Sequence, residues 1–406
     1  MQLTISKRFE FSTSHRLRVE GWSQEKNTAF FGKEAQSQFG HGHNYSAYFI
    51  FSGPVDRKNG MMINVTIIKK KIKSLLDARF DHKFLNADTP PFDKVNPTAE
   101  NLAAQLLEEA VPLFSEETAG PAACHLAESP FSEAAAYVNG NVERHLWVDF
   151  SAARRTFSPF LTEEENNRLF GIAANLSGHG HHYRLRVTLS GDVHPQHGMI
   201  FPGKESLKIL RELHSRFDHK NLNIDIPDFK DMPMTTEMLT RYFYHELKKK
   251  MPVNRVRLFE NDDFFVECVD GKDMFMSTAS RFHAAHRLHS RLLSQEDNTA
   301  VYGICNNPSG HGHLYRVECT IGGPIDERSG ILYDLNRTNS TVNRVLEDWD
   351  YKHLDLETED FQDKPSTGEN IVQVLWSKLD GRFEPGLHRL RLWETDNNRF
   401  TLRRSN

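Results

Sequence analysis

Polar and apolar side chains alternate with period two through Arg316-Val317-Glu318-Cys319-Thr320-Ile321, the pattern of a strand buried on one face. A turn follows over residues 324–330. Apolar positions then recur at helical spacing over 335–349 and again over 369–379, where Thr367 is placed to cap the second helix. Residues 387–394 and 399–403 read as strands around the turn Asp396-Asn397-Asn398, which predicts a hairpin. A further strand-like segment around Phe282 lies upstream. The unit reads strand, strand, helix, helix, strand, strand, a small α+β domain with a four-stranded antiparallel sheet.

The unit occurs three times. His41-Gly42-His43-Asn44-Tyr45 recurs as His179-Gly180-His181-His182-Tyr183 and as His311-Gly312-His313-Leu314-Tyr315. Phe80-Asp81-His82-Lys83 returns as Phe217-Asp218-His219-Lys220 and Trp349-Asp350-Tyr351-Lys352. Thr98-Ala99-Glu100 is matched by Thr235-Thr236-Glu237 and Thr367-Gly368-Glu369. The common order and spacing of these landmarks define three tandem domains over 1–140, 141–271 and 272–406. The junctions fall in the turn-like Asn139-Gly140-Asn141 and Asp270-Gly271-Lys272.

Composition narrows the setting. A net charge of −5 over 406 residues points to neither nucleic acid nor an anionic membrane as partner. Lys69–Lys71 and Lys248–Lys250 read as solvated helix faces. No apolar run reaches the ~20 residues of a membrane span, and the N-terminus reads as a strand rather than a leader. Four cysteines in so long a chain argue against a disulfide scaffold, and we expect a reducing, cytoplasmic location.

The candidate chemistry lies in the histidines. His-x-His on a strand places two imidazoles on one face. A third histidine stands upstream on another strand, His15 in the first copy and His286 in the third. Antiparallel neighbours can bring it to the pair. Three histidines without a fourth protein ligand make a catalytic zinc pattern, with one position open. The expected ligands are His15, His41 and His43, and His286, His311 and His313. In the second copy Arg154 stands in the third position. A guanidinium does not ligate zinc, so that site is expected to be degenerate, with His179 and His181 left as relics.

The segments Phe282–Leu288, Cys305–His313, Asp350–Lys352, Thr367–Asn370 and Glu394–Asn398 together resemble the 6-pyruvoyl-tetrahydropterin synthase family, most closely in the third copy. Related enzymes of the same fold make 6-carboxy-tetrahydropterin. The resemblance implies a tunnelling fold, in which three domains close into one pseudo-trimeric β-barrel and two rings stack, here as a homodimer of chains. It implies a zinc-dependent lyase that converts 7,8-dihydroneopterin triphosphate to 6-pyruvoyl-tetrahydropterin with loss of triphosphate. It assigns Cys305 as the proton-transferring thiol, aided by an Asp–His pair, Asp81–His82 or Asp218–His219. It assigns Glu394 as the pterin anchor, with Glu260 and Glu128 in its place in the other copies and Thr367 and Glu369 beside it.

No copy carries the whole set. Tyr351 replaces the histidine in copy three, while Glu34 and Ala173 stand near the cysteine position in copies one and two. We therefore expect a composite site, with zinc and thiol from copy three and the Asp–His pair from another copy. Whether Glu34 serves as base in a second site stays open, as does the choice between pyruvoyl and carboxy products. A non-catalytic pterin-binding scaffold is the contrasting alternative.

Overall fold

The computed structural model describes residues 1–404. Twelve strands form one antiparallel sheet that closes on itself. Copy one supplies β1 (Gln2–His15), β2 (His41–Ser52), β3 (Gly120–Ser129) and β4 (Ser132–Tyr137). Copy two supplies β5 (Val142–Arg154), β6 (His179–Ser190), β7 (Val253–Asn261) and β8 (Phe264–Val269), and copy three β9 (Asp273–His286), β10 (His311–Gly323), β11 (Leu387–Thr395) and β12 (Asn398–Arg403). The seams between copies are β4–β5, β8–β9 and β12–β1, the last pairing Gln2 with Arg403. Closure pairs the edge strands of each four-stranded unit with those of its neighbours and leaves no sheet edge.

Helices cover the outside. The long pairs are α2 (Val65–Arg79) with α3 (Ala99–Ala110), α5 (Gly203–Phe217) with α6 (Thr236–Lys248), and α8 (Leu335–Leu346) with α9 (Gly368–Leu379). Thr98, Thr235 and Thr367 cap α3, α6 and α9 by accepting a backbone N–H three residues on. Three short helices that the apolar pattern did not reveal, α1 (Gln24–Phe31), α4 (Glu163–Phe170) and α7 (Gln295–Tyr302), sit between the first two strands of each copy. One apolar layer between helices and barrel runs through all three copies, with Tyr45, Tyr183, Tyr315 and Trp349 fully buried in it.

Helix α8 ends at Leu346, short of the expected 349. Trp349 turns into the core and donates to Asp360 at 2.8 Å, and Tyr351 takes a positive φ of 56°. His82 and His219 have the same φ. The turn is shared because it lets the preceding aspartate cap a barrel strand: Asp81 accepts from Ser12 N–H, Asp218 from Ser151 and Asp350 from His283, at 2.7–2.8 Å. Among the described residues, no helix is long and apolar enough to cross a membrane.

Candidate metal centres and binding site

His15 and His286 end β1 and β9, where they register with His41 and His311 on the neighbouring strands. The Nε2 atoms of His15 and His41 lie 3.2 Å apart, and those of His286 and His311 3.1 Å apart. His43 and His313 aim buried Nε2 atoms without hydrogen-bond partners at the same points. In each cluster all candidate ligand atoms lie within 4.8 Å of one another. His15 Nδ1 donates to the Pro97 carbonyl at 2.8 Å, and His286 Nδ1 to the Ser366 carbonyl at 2.9 Å. These bonds fix the tautomer that leaves Nε2 bare, the arrangement a metal requires. Three imidazole nitrogens converging on one point fit a zinc-class cation.

The loop before each His-Gly-His strand brings one more residue in. Leu17 N–H binds the Glu34 carbonyl, Thr156 that of Ala173 and Leu288 that of Cys305, so the three positions are structurally equivalent. Glu34 Oε2 is 2.8 Å from His41 Nε2 and 3.7 Å from His15 Nε2. Burial works to raise this carboxyl, but the adjoining His15 and His41 imidazoles outweigh it and hold it well below its usual range. Cys305 is half-buried, and burial followed by the Glu394 charge pushes its thiol up.

Glu394 Oε1 stands 3.8 Å from His286 Nε2 and 3.9 Å from His313 Nε2. Glu128 stands 3.9 Å from His15 Nε2, so the uneven spacing in copy one does not displace it. Residues that spacing did not flag complete the surroundings. In copies one and three the tyrosine two residues beyond His-Gly-His reaches back to the third histidine, Tyr45 at 3.5 Å and Tyr315 at 3.4 Å. Its recurrence in all three copies was the available signal. Arg144 pairs with Glu100 at 3.2 Å and approaches Glu128 at 3.6 Å. It has no recurring neighbour by which sequence could have marked it.

Copy two is built differently. Arg154 is buried, donates to Thr236 at 2.9 Å and ion-pairs with Glu260. Burial works to raise the Glu260 carboxyl, and Arg154 outweighs it and holds it low. The guanidinium thus takes the place of the cation, and His179 and His181 form no three-ligand group among the described residues.

Thr367 and Glu369 face the neighbouring copy. The Thr367 hydroxyl donates to the Gly60 carbonyl at 2.6 Å, and Glu369 accepts from Met62 N–H at 2.9 Å. The same clamp joins Thr98 to Gly198 and Thr235 to Gly330, both at 2.5 Å. Each site is therefore flanked by a loop of the next copy round the ring. Burial pushes the Glu369 and Glu237 carboxyls up to about 7.

The Asp–His pairs lie elsewhere. Asp81 and Asp218 hold Nδ1 of His82 and His219 at 2.9 and 2.6 Å, and both imidazoles are 83% exposed. Helix α2, about 22 Å long at 1.5 Å per residue, separates the clamp loop at Met62 from His82. Among the described residues no contact joins either pair to a three-histidine centre. They sit at the barrel end where the metal ligands emerge.

A closed barrel of repeated α+β units with histidine centres at its strand ends defines the tunnelling-fold class. The sequence profile of the 6-pyruvoyl tetrahydropterin synthase family matches this chain three times, over residues 4–138, 146–270 and 276–405, and the chain belongs to that family. The 6-pyruvoyl tetrahydrobiopterin synthase of Homo sapiens is 39% identical over 119 residues, covering 29% of this chain and 82% of that protein. A 6-carboxy-5,6,7,8-tetrahydropterin synthase of Rickettsia typhi is 30% identical over 131 residues, covering 28% of this chain and 86% of its own. The 6-pyruvoyl tetrahydropterin synthase structure of Caenorhabditis elegans shares 36% identity over 33% of this chain and 96% of that one, with a TM-score of 0.32. The profile match and the sequence relatives support a pterin-synthase function at the level of the family.

Proposed function

We propose that the chain is a zinc-dependent 6-pyruvoyl-tetrahydropterin synthase acting on 7,8-dihydroneopterin triphosphate, with its principal site in copy three. The observation that carries this reading is the convergence of His286, His311 and His313 beside Glu394, with Cys305 at the loop position from which Glu34 reaches the histidines in copy one. Zinc held by the three imidazoles would polarise the substrate's side-chain oxygens, acidify the adjoining C–H bonds and favour the Cys305 thiolate. Cys305, so ionised, moves protons at those carbons. Glu394 accepts two hydrogen bonds from the amide and amine of the pterin. Tyr315 and the Ser366 carbonyl hold His286 in orientation.

Asp81 and Asp218 fix the Nδ1–H tautomer of His82 and His219, leaving Nε2 free to exchange a proton. Their exposure favours delivery from a second chain over delivery within the ring. The barrel end that bears them also exposes Phe39 (84%), Ile172 (90%), Leu176 (81%), Ile224 (77%), Ile304 (93%), Tyr351 (79%) and Leu356 (75%). An apolar crown of this size around the sites suits a second ring stacked face to face. The homodimer would complete each site with the partner's Asp–His pair. In copy one, Glu34 is placed to act as base at a second centre.

The test is zinc content and turnover of dihydroneopterin triphosphate. Cys305→Ala should retain zinc and lose about 10²–10⁴-fold in rate, the usual contribution of a positioned acid–base group. His313→Ala should lose one zinc per chain. Full activity in both variants would move catalysis to copy one, and absence of turnover in the wild type would favour the scaffold reading. Mass spectrometry of the product separates pyruvoyl from carboxy chemistry, which relatives of both kinds keep in play.

A further inference from the structure

Alternate side chains of the twelve strands pack outward beneath the helices, and those between them point into the barrel. Among the inward arginines of copies two and three, six form one group in the lumen, Arg186, Arg255, Arg257, Arg389, Arg391 and Arg399, while Arg184, Arg281 and Arg316 lie nearer the strand ends. Four carboxylates face them. Arg186 pairs with Glu133 at 2.8 Å, Arg255 with Glu143 at 2.7 Å and Arg391 with Glu318 at 3.0 Å, while Arg257 Nε donates to Glu267 at 3.0 Å.

This leaves two guanidinium charges without a carboxylate of their own. Arg389, its side chain 9% exposed, lies 3.7 Å from Glu267 and 3.5 Å from Glu318, both already engaged. Arg399 has no ion pair among the described residues. Nε and Nη2 of Arg389 and Nε of Arg186, Arg391 and Arg399 are buried without hydrogen-bond partners. The other inward groups here do not balance the charge. Burial, and after it the surrounding arginines, holds His125 and His145 well below their usual range, hence neutral. Burial and then Arg391 lower Arg389 to about 9, so it stays charged at neutral pH. A buried charge without a counter-charge costs several kcal/mol, and a guanidinium presents a fork of donors that matches a tetrahedral oxyanion.

We propose that the barrel lumen binds an inorganic oxyanion of the phosphate class, held by Arg389 with Arg391 and Arg399, on the opposite face of the sheet from the histidine centres. Its place is set by the difference between copies. Where copies two and three carry Arg257 and Arg391, copy one carries His125, and Ala123 and Ala127 flank it. One anion at one side of the lumen is the expected stoichiometry.

The zinc-loaded chain is titrated with inorganic phosphate by calorimetry in low-salt buffer, beside Arg389→Leu, Arg399→Gln and His313→Ala. We expect one phosphate per chain for the wild type and for His313→Ala. Binding should weaken by about tenfold or more in each arginine variant, as a charge-assisted bond is lost. Arg389→Leu should also melt higher than wild type in phosphate-free buffer, because an uncompensated charge is gone, and phosphate should raise the wild-type melting point more than equal chloride does. Absence of wild-type binding, equal stabilisation by chloride, loss of binding in His313→Ala, or unchanged affinity in both arginine variants would each overturn the proposal.

Discussion

The Thr367 hydroxyl and the Gly60 carbonyl meet at 2.6 Å across 307 residues of sequence. The bond holds the first copy against the last where no covalent link joins them. Gly60 has φ +70°, and a Cβ there would fall 2.6 Å from Asn370 Nδ2 and 2.7 Å from Pro365 Cγ. Gly60→Ala should therefore cost about 1–3 kcal/mol from backbone strain and crowding. Gly140→Ala, at φ +86° with nothing within 4 Å, isolates the backbone part. Urea midpoints compare the two, and equal losses would remove the clamp from the explanation.

Arg154 occupies the third-ligand position of copy two. Arg154→His would place an imidazole opposite His179 and His181 and free Glu260. Zinc per chain, measured by elemental analysis after dialysis, should rise by one. An unchanged zinc content would mean that the copy-two pocket has lost more than a ligand.

The lumen carboxylates make the ring acid-labile. Burial works to raise the Glu267 and Glu318 carboxyls, but Arg257 and Arg391 respectively outweigh it and hold both below the usual carboxylate range. A depressed folded pKa gives stability that is present above the unfolded value and lost as pH falls through the folded one. Melting temperature should fall progressively below about pH 4.5, the unfolded carboxylate range. Glu318→Gln should flatten that acid limb, and an unaltered limb would place the lability elsewhere.

The apolar crown predicts the assembly. Ile304→Glu together with Leu176→Glu should convert a dimer of rings to single rings in sedimentation velocity. Turnover should fall with dissociation while zinc content stays constant. A wild-type single ring that is fully active would refute delivery of the Asp–His pair by a partner.

The parts of the site legible in sequence were those carried by side chains at repeated spacing on strands. His286, His311 and His313 could be read because strand pairing converts their spacing into proximity, whereas Glu394 was marked only by the family resemblance. The clamp could not be read, since one of its halves is the carbonyl of Gly60, a group every residue has. The lumen arginines looked like ordinary polar positions of half-buried strands until closure placed both faces indoors. The position of His82 was hidden for a related reason. Its exposure is set by the turn that follows α2 and bonds to β1, and residue spacing does not give the path of that helix over the barrel.

Short turns between β4 and β5 and between β8 and β9 make the three units one molecule. In a ring of identical subunits any substitution is imposed three times, so replacing a metal ligand would abolish every centre at once. Here Arg154 removes one centre and leaves two, Tyr351 replaces one imidazole and spares two, and the lumen charge gathers on one side. Joining the units end to end has released each position from threefold symmetry, and the chain has used that freedom to make its three pockets unequal.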